Sequence, residues 1–526
     1  MKLFSIFFFC SVLLASLSAQ NQPVQLWQAA EYVKSMNIKG PTISLDKFQN
    51  TYMLTNQTDE SPFGGFTLVK YDTLGNVLWK RHSQVGIIGI LYGSFTVDSL
   101  GNAYVGQWYD GGLPGYDADA ALIKYAPDGT KQWEANYGLD QSGDSYLYYS
   151  EMDTLNGRLL TLGMNLHETD PAENFLFVQA VDTSDGSVIW RTKISGVFRP
   201  QNLRIQQEHI QLLSTQYKPD SKYFVNTLVD FDGNITAQYE KPYSGYEIDF
   251  NYISRTGDVV FGNRAFGYNV TRVNIQGDTL WAYVHPLNSG TNKNWVRSVV
   301  EDDSLNVYAT GSIELPGFAL DMVTCKINRY GELKWEDISR STNDEFGDGG
   351  NKVNLCKLNL LVSGFTKLEN GDDVGIVRVY KHDDGSIEQD VIISSQNAYS
   401  IDNSFKSTGN LFYVGIGYQG QMPANNILAL TGCFSLPKIS SSTNDFEHIN
   451  SINVFPNPTV EAILISDIDT NIFFKISVCD MNGKVILNKK IEAAQEKISL
   501  SNFPSGLYTV CVHGKNLQVN KKVIKI

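Results

Sequence analysis

Lys70-Tyr71-Asp72-Thr73-Leu74-Gly75-Asn76-Val77-Leu78-Trp79 reads as an apolar extended run, a tight turn and a second extended run closing on tryptophan. Glycine takes positive φ without steric cost and aspartate bonds its own backbone, so the stretch specifies a hairpin. It returns as Lys124-Tyr125-Ala126-Pro127-Asp128-Gly129-Thr130-Lys131-Gln132-Trp133. Further copies centre on Gly186/Trp190, Gly233/Ala237, Gly277/Trp281, Gly331/Trp335 and Gly385/Gln389. The glycines stand 54, 57, 47, 44, 54 and 54 residues apart. A period near fifty residues marks a repeat architecture, in which each unit buries its apolar face only against its neighbours.

A second hairpin precedes each of these. Its clear copies are Val97-Asp98-Ser99-Leu100-Gly101-Asn102-Ala103-Tyr104-Val105-Gly106 and Glu301-Asp302-Asp303-Ser304-Leu305-Asn306-Val307-Tyr308. Weaker copies fall at 150–165, 204–217, 252–265, 351–366 and 406–419, with an opening one at 44–57. Two hairpins make four strands, which is one propeller blade. The glycine turn occurs seven times and the preceding hairpin eight times. The eighth hairpin is followed only by Asn426-Ile427-Leu428-Ala429-Leu430, while Gln25-Leu26-Trp27-Gln28 stands alone at the start. The expectation is an all-β, eight-bladed propeller over residues 20–434, closed by that N-terminal strand, which leaves no unpaired edge. Seven blades is the alternative if 26–60 packs differently.

The pattern resembles the bacterial β-propeller repeat family, whose units run apolar strand, K-Y-D-x-x-G-N-x-x-W, then D-S-x-G-N-x-Y-V-x-G. The resemblance covers about three quarters of the chain. It implies a fold and brings no catalytic residues.

Residues 1–19 read as a signal peptide: Met1-Lys2, an apolar run from Leu3 to Leu17, then the small residues Ala15, Ser18 and Ala19. No other stretch is long or apolar enough to span a bilayer, so the mature chain is expected to lack a transmembrane segment. A Ser-rich linker, 435–450, leads to a distinct module at 451–526. Its alternating strands and Asn482-Gly483 turn predict a small C-terminal β-sandwich. The module also resembles the C-terminal sorting domain of the type IX (Por) secretion system of Bacteroidetes. The resemblance rests on Pro456-Asn457-Pro458, on Asp480 with Gly483-Lys484, on Gly506 and Tyr508, and on the lysine-rich end, in that order. It implies type IX machinery as a partner through 451–526, and export to the outer-membrane surface or the medium.

Of the formal net charge of −14, −18 falls on residues 20–450, +3 on 451–526 and +1 on Lys2. An acidic propeller argues against a nucleic-acid partner, for which basic patches supply affinity. Five cysteines follow the signal segment, Cys325, Cys356, Cys433, Cys479 and Cys511, an odd number without CxxC spacing, so a zinc or redox role lacks support. Cys479 and Cys511 fall on strands of the small module, where pairing and buried thiols both fit.

Chemistry-bearing motifs are sparse. Seven histidines form no H-E-x-x-H, and there is no G-x-S-x-G or P-loop. The acidic groups Asp110/Asp117/Asp119 and Asp344/Glu345/Asp348 do not match a calcium loop and read as solvated connections. Asp372-Asp373 and Asp383-Asp384 read as turn residues before a glycosidase carboxylate pair. No cofactor or metal site is expected.

Trp27, Trp79, Trp133, Trp190, Trp281 and Trp335 hold one place in each unit, which predicts packing between blades. Trp108 and Trp295 lie off that register. Trp108, with Tyr109 and Tyr116 by the glycine-rich stretch 106–115, is the candidate for exposed recognition. Asp72-Thr73-Leu74, Asp98-Ser99-Leu100, Asp153-Thr154-Leu155, Asp278-Thr279-Leu280 and Asp303-Ser304-Leu305 resemble Bacteroidetes O-glycosylation acceptors. The functional expectation is a secreted module that binds a protein or a glycan. A polysaccharide-degrading enzyme with acids from different blades, and a structural surface component, are the rivals.

Overall fold

The computed structural model describes residues 24–34, 41–435 and 453–525, less 57–64, 84–86, 90–93, 110–118, 139–142, 168–169, 171–172, 197, 219–220, 244–247, 264–266, 287–293, 315–319, 340–347, 357–358, 368–372, 393–398, 409–410, 420–425, 456–458, 460, 467, 469, 471–472, 481–483 and 515–517. The signal segment 1–19, Tyr116, Pro456-Asn457-Pro458, Gly483, Asp110, Asp117, Asp344, Glu345 and Asp372 therefore lie outside the described residues, as does the linker beyond Ser435. The chain divides into two compact units, 1–437 and 438–526.

In the first unit the described strands form eight antiparallel sheets. Sheets I to VII take residues 42–82, 87–136, 143–195, 198–243, 248–284, 295–339 and 349–392. Sheet VIII takes Tyr399–Thr408, Leu411–Gln419 and Asn426–Ser435, and Val24–Lys34 completes it along the last of these. Trp27 pairs with Cys433, and Leu26 is skipped in the register. Sheet I does the same with its last strand, where Trp79 pairs with Lys70 and Leu78 is skipped. The first strand of each sheet touches the first strand of the next, and that of sheet VIII touches that of sheet I, closing a ring of β-propeller type.

Burial follows from sheets packed face to face around that ring. Phe66–Tyr71, the third strand of sheet I, is buried along its whole length, and the run is correspondingly apolar. Its outer neighbour Val77–His82 is exposed except near Trp79. The glycine turns join the sheets. Trp79 Nε1 donates to Pro127 O at 2.9 Å, Trp133 to Thr183 O at 3.1 Å and Trp190 to Phe231 O at 3.0 Å. Trp281 donates to Arg329 O at 3.1 Å and Trp335 to His382 O at 3.2 Å. Each acceptor lies in the turn of the following sheet. Lys70 Nζ reaches the same Pro127 carbonyl at 3.0 Å, Lys124 the Thr183 carbonyl at 2.7 Å and Lys326 the His382 carbonyl at 2.9 Å. The paired lysine and tryptophan of the repeat thus converge on one part-buried turn carbonyl of the next repeat, tying neighbouring sheets together.

The second unit holds a three-stranded sheet (Asn453–Phe455, Ala462–Ser466, Glu496–Ser499) and a four-stranded one (Phe473–Cys479, Val485–Lys490, Gly506–Gly514, Gln518–Lys525). Ile463, Ile465 and Ile498 from the first meet Ile476, Val478, Val510, Val512 and Val523 from the second in a shared core, a small sandwich. Among the described residues, no helix of the chain is long and apolar enough to cross a membrane.

Candidate functional site

The eight inner strands surround a central channel, and their register defines which side chains share a level. The residues Leu45, Val97, Met152, Ile205, Ile253, Glu301, Leu355 and Ser407 each pair with an equivalent residue of the second strand: Thr51, Ala103, Leu159, Ile210, Val259, Val307, Leu360 and Phe412. One residue earlier on each strand lies Ser44, Thr96, Glu151, Arg204, Tyr252, Val300, Asn354 and Lys406. All eight keep solvent access while the sheets around them are closed, as a ring lining the channel requires. Tyr148, Gln201, Asp249, Arg297 and Asn351 are skipped in the register of their strands, a bulge repeated from sheet to sheet. Bulges re-aim the side chains beside them.

Three adjacent members of this ring bound a pocket of about 320 Å³, with Tyr149, Ser150 and Glu151 from sheet III, Asn202, Leu203 and Arg204 from sheet IV, and Tyr252 and Ile253 from sheet V. Glu151 Oε2 accepts the Ile205 N–H at 3.0 Å. Arg204 Nη1 donates to Ile253 O at 2.6 Å, and its guanidinium carbon lies 5.3 Å from the centre of the Tyr252 ring. Asn202 donates to Asn251 at 2.8 Å. Each contact steps from one sheet to the next, so the pocket wall is tied together across sheet boundaries. Burial raises the Glu151 carboxyl above its ordinary range, against the opposing pull of the Ile205 N–H and the Arg204 charge. Burial also pushes the Tyr149 hydroxyl up to about 12.

The arrangement suits binding of a polar ring-shaped molecule. Tyr252 and the Arg204 plane offer flat surfaces, and Asn202 and Glu151 offer hydrogen-bonding groups. A single carboxylate lines the pocket. Glycoside hydrolysis by the usual route needs two.

Trp108 sits at the end of Ala103–Tyr109, half-buried, with its ring 5.4 Å from Tyr146 of sheet III in an edge-to-face contact. Tyr146 is in turn 6.5 Å from Tyr148. Tyr109 is the last residue of the same strand. Trp295, the other off-register tryptophan, opens an inner strand of sheet VI, with Arg297 4.8 Å over its ring.

Of the acidic groups singled out in the sequence, the described members take separate structural roles. Asp119 accepts from Asn136 at 3.2 Å, Asp348 is fully buried, and Asp384 holds the turn at Ser386 with bonds of 2.9 and 2.7 Å. Among the described residues no group of three or more metal-ligating side chains comes together. Cys325 bonds the Tyr268 hydroxyl at 3.7 Å, and Cys479 and Cys511 stand as neighbouring thiols on adjacent strands. Thr73, Ser99, Thr154 and Ser304 are exposed on turns, and Thr279 is exposed at the start of the strand Thr279–Val284.

In the second unit Asp480 accepts the Lys484 N–H at 3.0 Å and closes the hairpin turn between the first two strands of the larger sheet. Gly506 begins the strand that carries Tyr508, and the Tyr508 hydroxyl donates to Pro504 O at 2.6 Å. Lys525 reaches back to the carbonyls of Ser501 and Phe503.

Residues 453–526 match the family described as the secretion system C-terminal sorting domain. The C-terminal unit is thus a type IX (Por) sorting domain of the Bacteroidetes kind, and the protein is a β-propeller exported by that system to the cell surface or extracellular space. Comparison with curated proteins finds no match. Among solved structures, the quinohemoprotein alcohol dehydrogenase from Comamonas testosteroni is 10% identical, with a TM-score of 0.50 over 84% of this chain and 79% of that one. The WD40 domain of SCAP from fission yeast is 8% identical, with a TM-score of 0.45 over 80% and 99%. The polysaccharide lyase Uly1 is 9% identical, with a TM-score of 0.40 over 78% and 100%. At such identities the likeness is one of fold.

The pocket residues carry a signal that single-unit reading misses. Glu151, Arg204 and Tyr252 hold one place in three successive units, but the turns after them differ in length, so the alignment emerges only from strand pairing.

Proposed function

We propose that this exported protein is a binding module that holds a glycan in the channel pocket bounded by Glu151, Arg204 and Tyr252. The observation that carries the reading is that pocket itself: a tyrosine ring beside a guanidinium plane, with one carboxylate and one amide at its edge. Aromatic faces with a few convergent polar groups are the usual furniture of small-molecule and sugar sites. The eight sheets count as eight blades over 20–434, with the signal peptide 1–19 removed on entry to the periplasm. The linker 435–450 then presents the sorting domain to the type IX machinery. Trp108, Tyr109 and Tyr116 form a second contact region, of which Trp108 and Tyr109 close the strand Ala103–Tyr109.

The test is a glycan array and a polysaccharide-depolymerisation assay on the mature chain, with Tyr252→Ala alongside. Retention of a glycan that Tyr252→Ala loses supports the reading. Release of shortened products would overturn it in favour of a degrading enzyme. Silence in both assays would overturn the glycan assignment and leave a protein ligand at the same channel.

A further inference from the structure

On the inner strand of sheet III, the run Tyr146-Leu147-Tyr148-Tyr149-Ser150-Glu151 leads along the channel wall into the pocket. In a regular strand successive side chains point to opposite faces, so half of such a run would be turned away. The bulge that skips Tyr148 breaks the alternation. Within the run only Leu147 is buried, and the other side chains keep solvent access. All three tyrosines are therefore accessible on one short stretch, with the rings of Tyr146 and Tyr148 6.5 Å apart. The Tyr146 hydroxyl donates to Asp144 Oδ2 at 2.9 Å, which fixes its ring. Beyond Tyr146 the aromatic surface passes to sheet II, where the Trp108 ring stands 5.4 Å away. Trp108 is flanked across its own sheet by Gly89 and Ala120, neither large enough to cover an indole. At the other end Tyr149, Ser150 and Glu151 enter the pocket wall with Arg204 and Tyr252. From Tyr146 to Glu151 the strand advances about 15 Å at the usual rise per residue. The pocket itself, at about 320 Å³, is near the small end of ligand sites.

We infer that the pocket is one end of a longer track, and that its ligand is a linear oligosaccharide running from Trp108 past Tyr146 and Tyr148 to Glu151, Arg204 and Tyr252. This rests on the glycan reading above and adds the length and course of the ligand. A row of tyrosine and tryptophan rings presents flat apolar faces with a polar group at the edge. Linked sugar rings answer that row, each with a less polar face to lay on an aromatic ring and hydroxyls directed outward. A single sugar would occupy the pocket and leave Tyr146 and Trp108 unused. The pocket and the Trp108 region thereby become the two ends of one site. Their contributions separate with ligand length: Arg204 and Tyr252 touch every ligand, whereas Tyr146 and Trp108 touch only those long enough to leave the pocket.

The experiment is calorimetric titration of the mature full-length chain with length series, from single sugar to hexasaccharide. The series are gluco-, manno-, galacto- and xylo-oligosaccharides and any further glycan that the array retains. Tyr146→Leu, Trp108→Leu and Tyr252→Ala are measured beside the native protein, each with its melting curve as the folding control. The expected result is affinity that rises with chain length, the hexasaccharide of the favoured series binding roughly tenfold or more tighter than its single sugar. Tyr146→Leu and Trp108→Leu should remove most of that gain and leave the shortest ligands unaffected, whereas Tyr252→Ala should weaken every length. A variant that merely perturbs the fold would weaken all lengths alike, so the length dependence separates contact from structural support. Equal affinity for single sugar and hexasaccharide, or a gain with length that survives both leucine variants, would overturn the inference while leaving the pocket as a glycan site. Silence of every series would remove the underlying reading as well.

Discussion

The ring of Trp79 lies on the α-carbon of Gly129, fifty residues further on, so closely that a β-carbon on Gly129 would fall 2.7 Å from Trp79 Cδ2. Gly186 stands to Trp133, Gly233 to Trp190, Gly331 to Trp281 and Gly385 to Trp335 in the same way. The glycine and the tryptophan of one repeat therefore do not serve each other. In these five pairs the glycine receives the tryptophan of the preceding sheet, whereas Gly277, whose preceding repeat has Ala237 in place of tryptophan, meets the Lys241 side chain instead. Positive φ and close approach fall on one residue, with φ at Gly129 +81°.

Gly129→Ala should accordingly cost more than a turn glycine normally does. Left-handed backbone for a non-glycine residue costs about 1–2 kcal/mol, and the displaced indole adds to it, for a loss of about 2–4 kcal/mol in all. Chemical denaturation of the purified protein measures it. A loss below the backbone cost alone would show that the Trp79 ring moves aside freely.

The opposite change is available at Leu305. It holds φ +65° at the turn position that Gly101 fills in sheet II with φ +89°. Leu305→Gly should relieve that conformation and stabilise the protein by up to about 1 kcal/mol, after allowing for glycine's entropy. A rise in Tm of a degree or two is the expected reading for a chain of this size.

Between sheets V and VI, Arg272 bonds Asp258 at 2.9 Å and Glu301 at 2.8 Å, and Glu301 also accepts the Ser254 hydroxyl at 2.6 Å. Arg272 and Glu301 are both almost fully buried. Glu301→Ala removes one partner and leaves a buried guanidinium short of charge, so the expected cost is about 3–5 kcal/mol. The double variant Arg272→Met/Glu301→Leu should recover much of that, as replacing both partners by apolar groups often does. Thermal denaturation of the two variants distinguishes them.

Glu151 carries a pH signature of known sign. Its carboxyl is raised in the folded chain by burial, so it contributes stability below its unfolded value, and this is lost as pH rises through the raised folded value. Wherever it is ionised, its charge is a cost. Glu151→Gln should therefore be neutral or stabilising at pH 7, and should remove this part of the decline in stability between mildly acidic and neutral pH. Melting curves across that range provide the measurement. A variant markedly less stable than the native protein at pH 7 would contradict it.

Removal of residues 438–526 should leave the first unit folded, since the two units have separate cores, and should hold it in the periplasm for want of its sorting domain. Loss of 24–34 should be harsher. It exposes the edge of Asn426–Ser435 along its length, and aggregation on gel filtration is the expected result.

Much of this was legible in advance. Asp72 and Gly75 specify a turn by local backbone chemistry, and a fixed spacing of such turns specifies repeated sheets. The isolated Gln25-Leu26-Trp27 could be assigned to a distant partner because it carries the tryptophan that closes the last strand of a unit, while the eighth hairpin lacks that strand. The small module announced itself through Asp480, Lys484, Gly506 and Tyr508 in sequence order. Trp108 was singled out because it fell off the register, and the fold gives the reason for its position: it packs against Tyr146 of the next sheet.

Glu151, Arg204 and Tyr252 were not legible. Each sits alone in a polar stretch of its own repeat, separated from the others by about fifty residues or more, and nothing local marks it. The sequence by itself determined the strands, the turns and the export route, because these depend on short-range geometry and contiguous motifs. Only the tertiary structure decided what faces the channel. That depends on strand register and on bulges such as those at Tyr148 and Gln201, and it brings Glu151, Arg204 and Tyr252 from three sheets to one pocket.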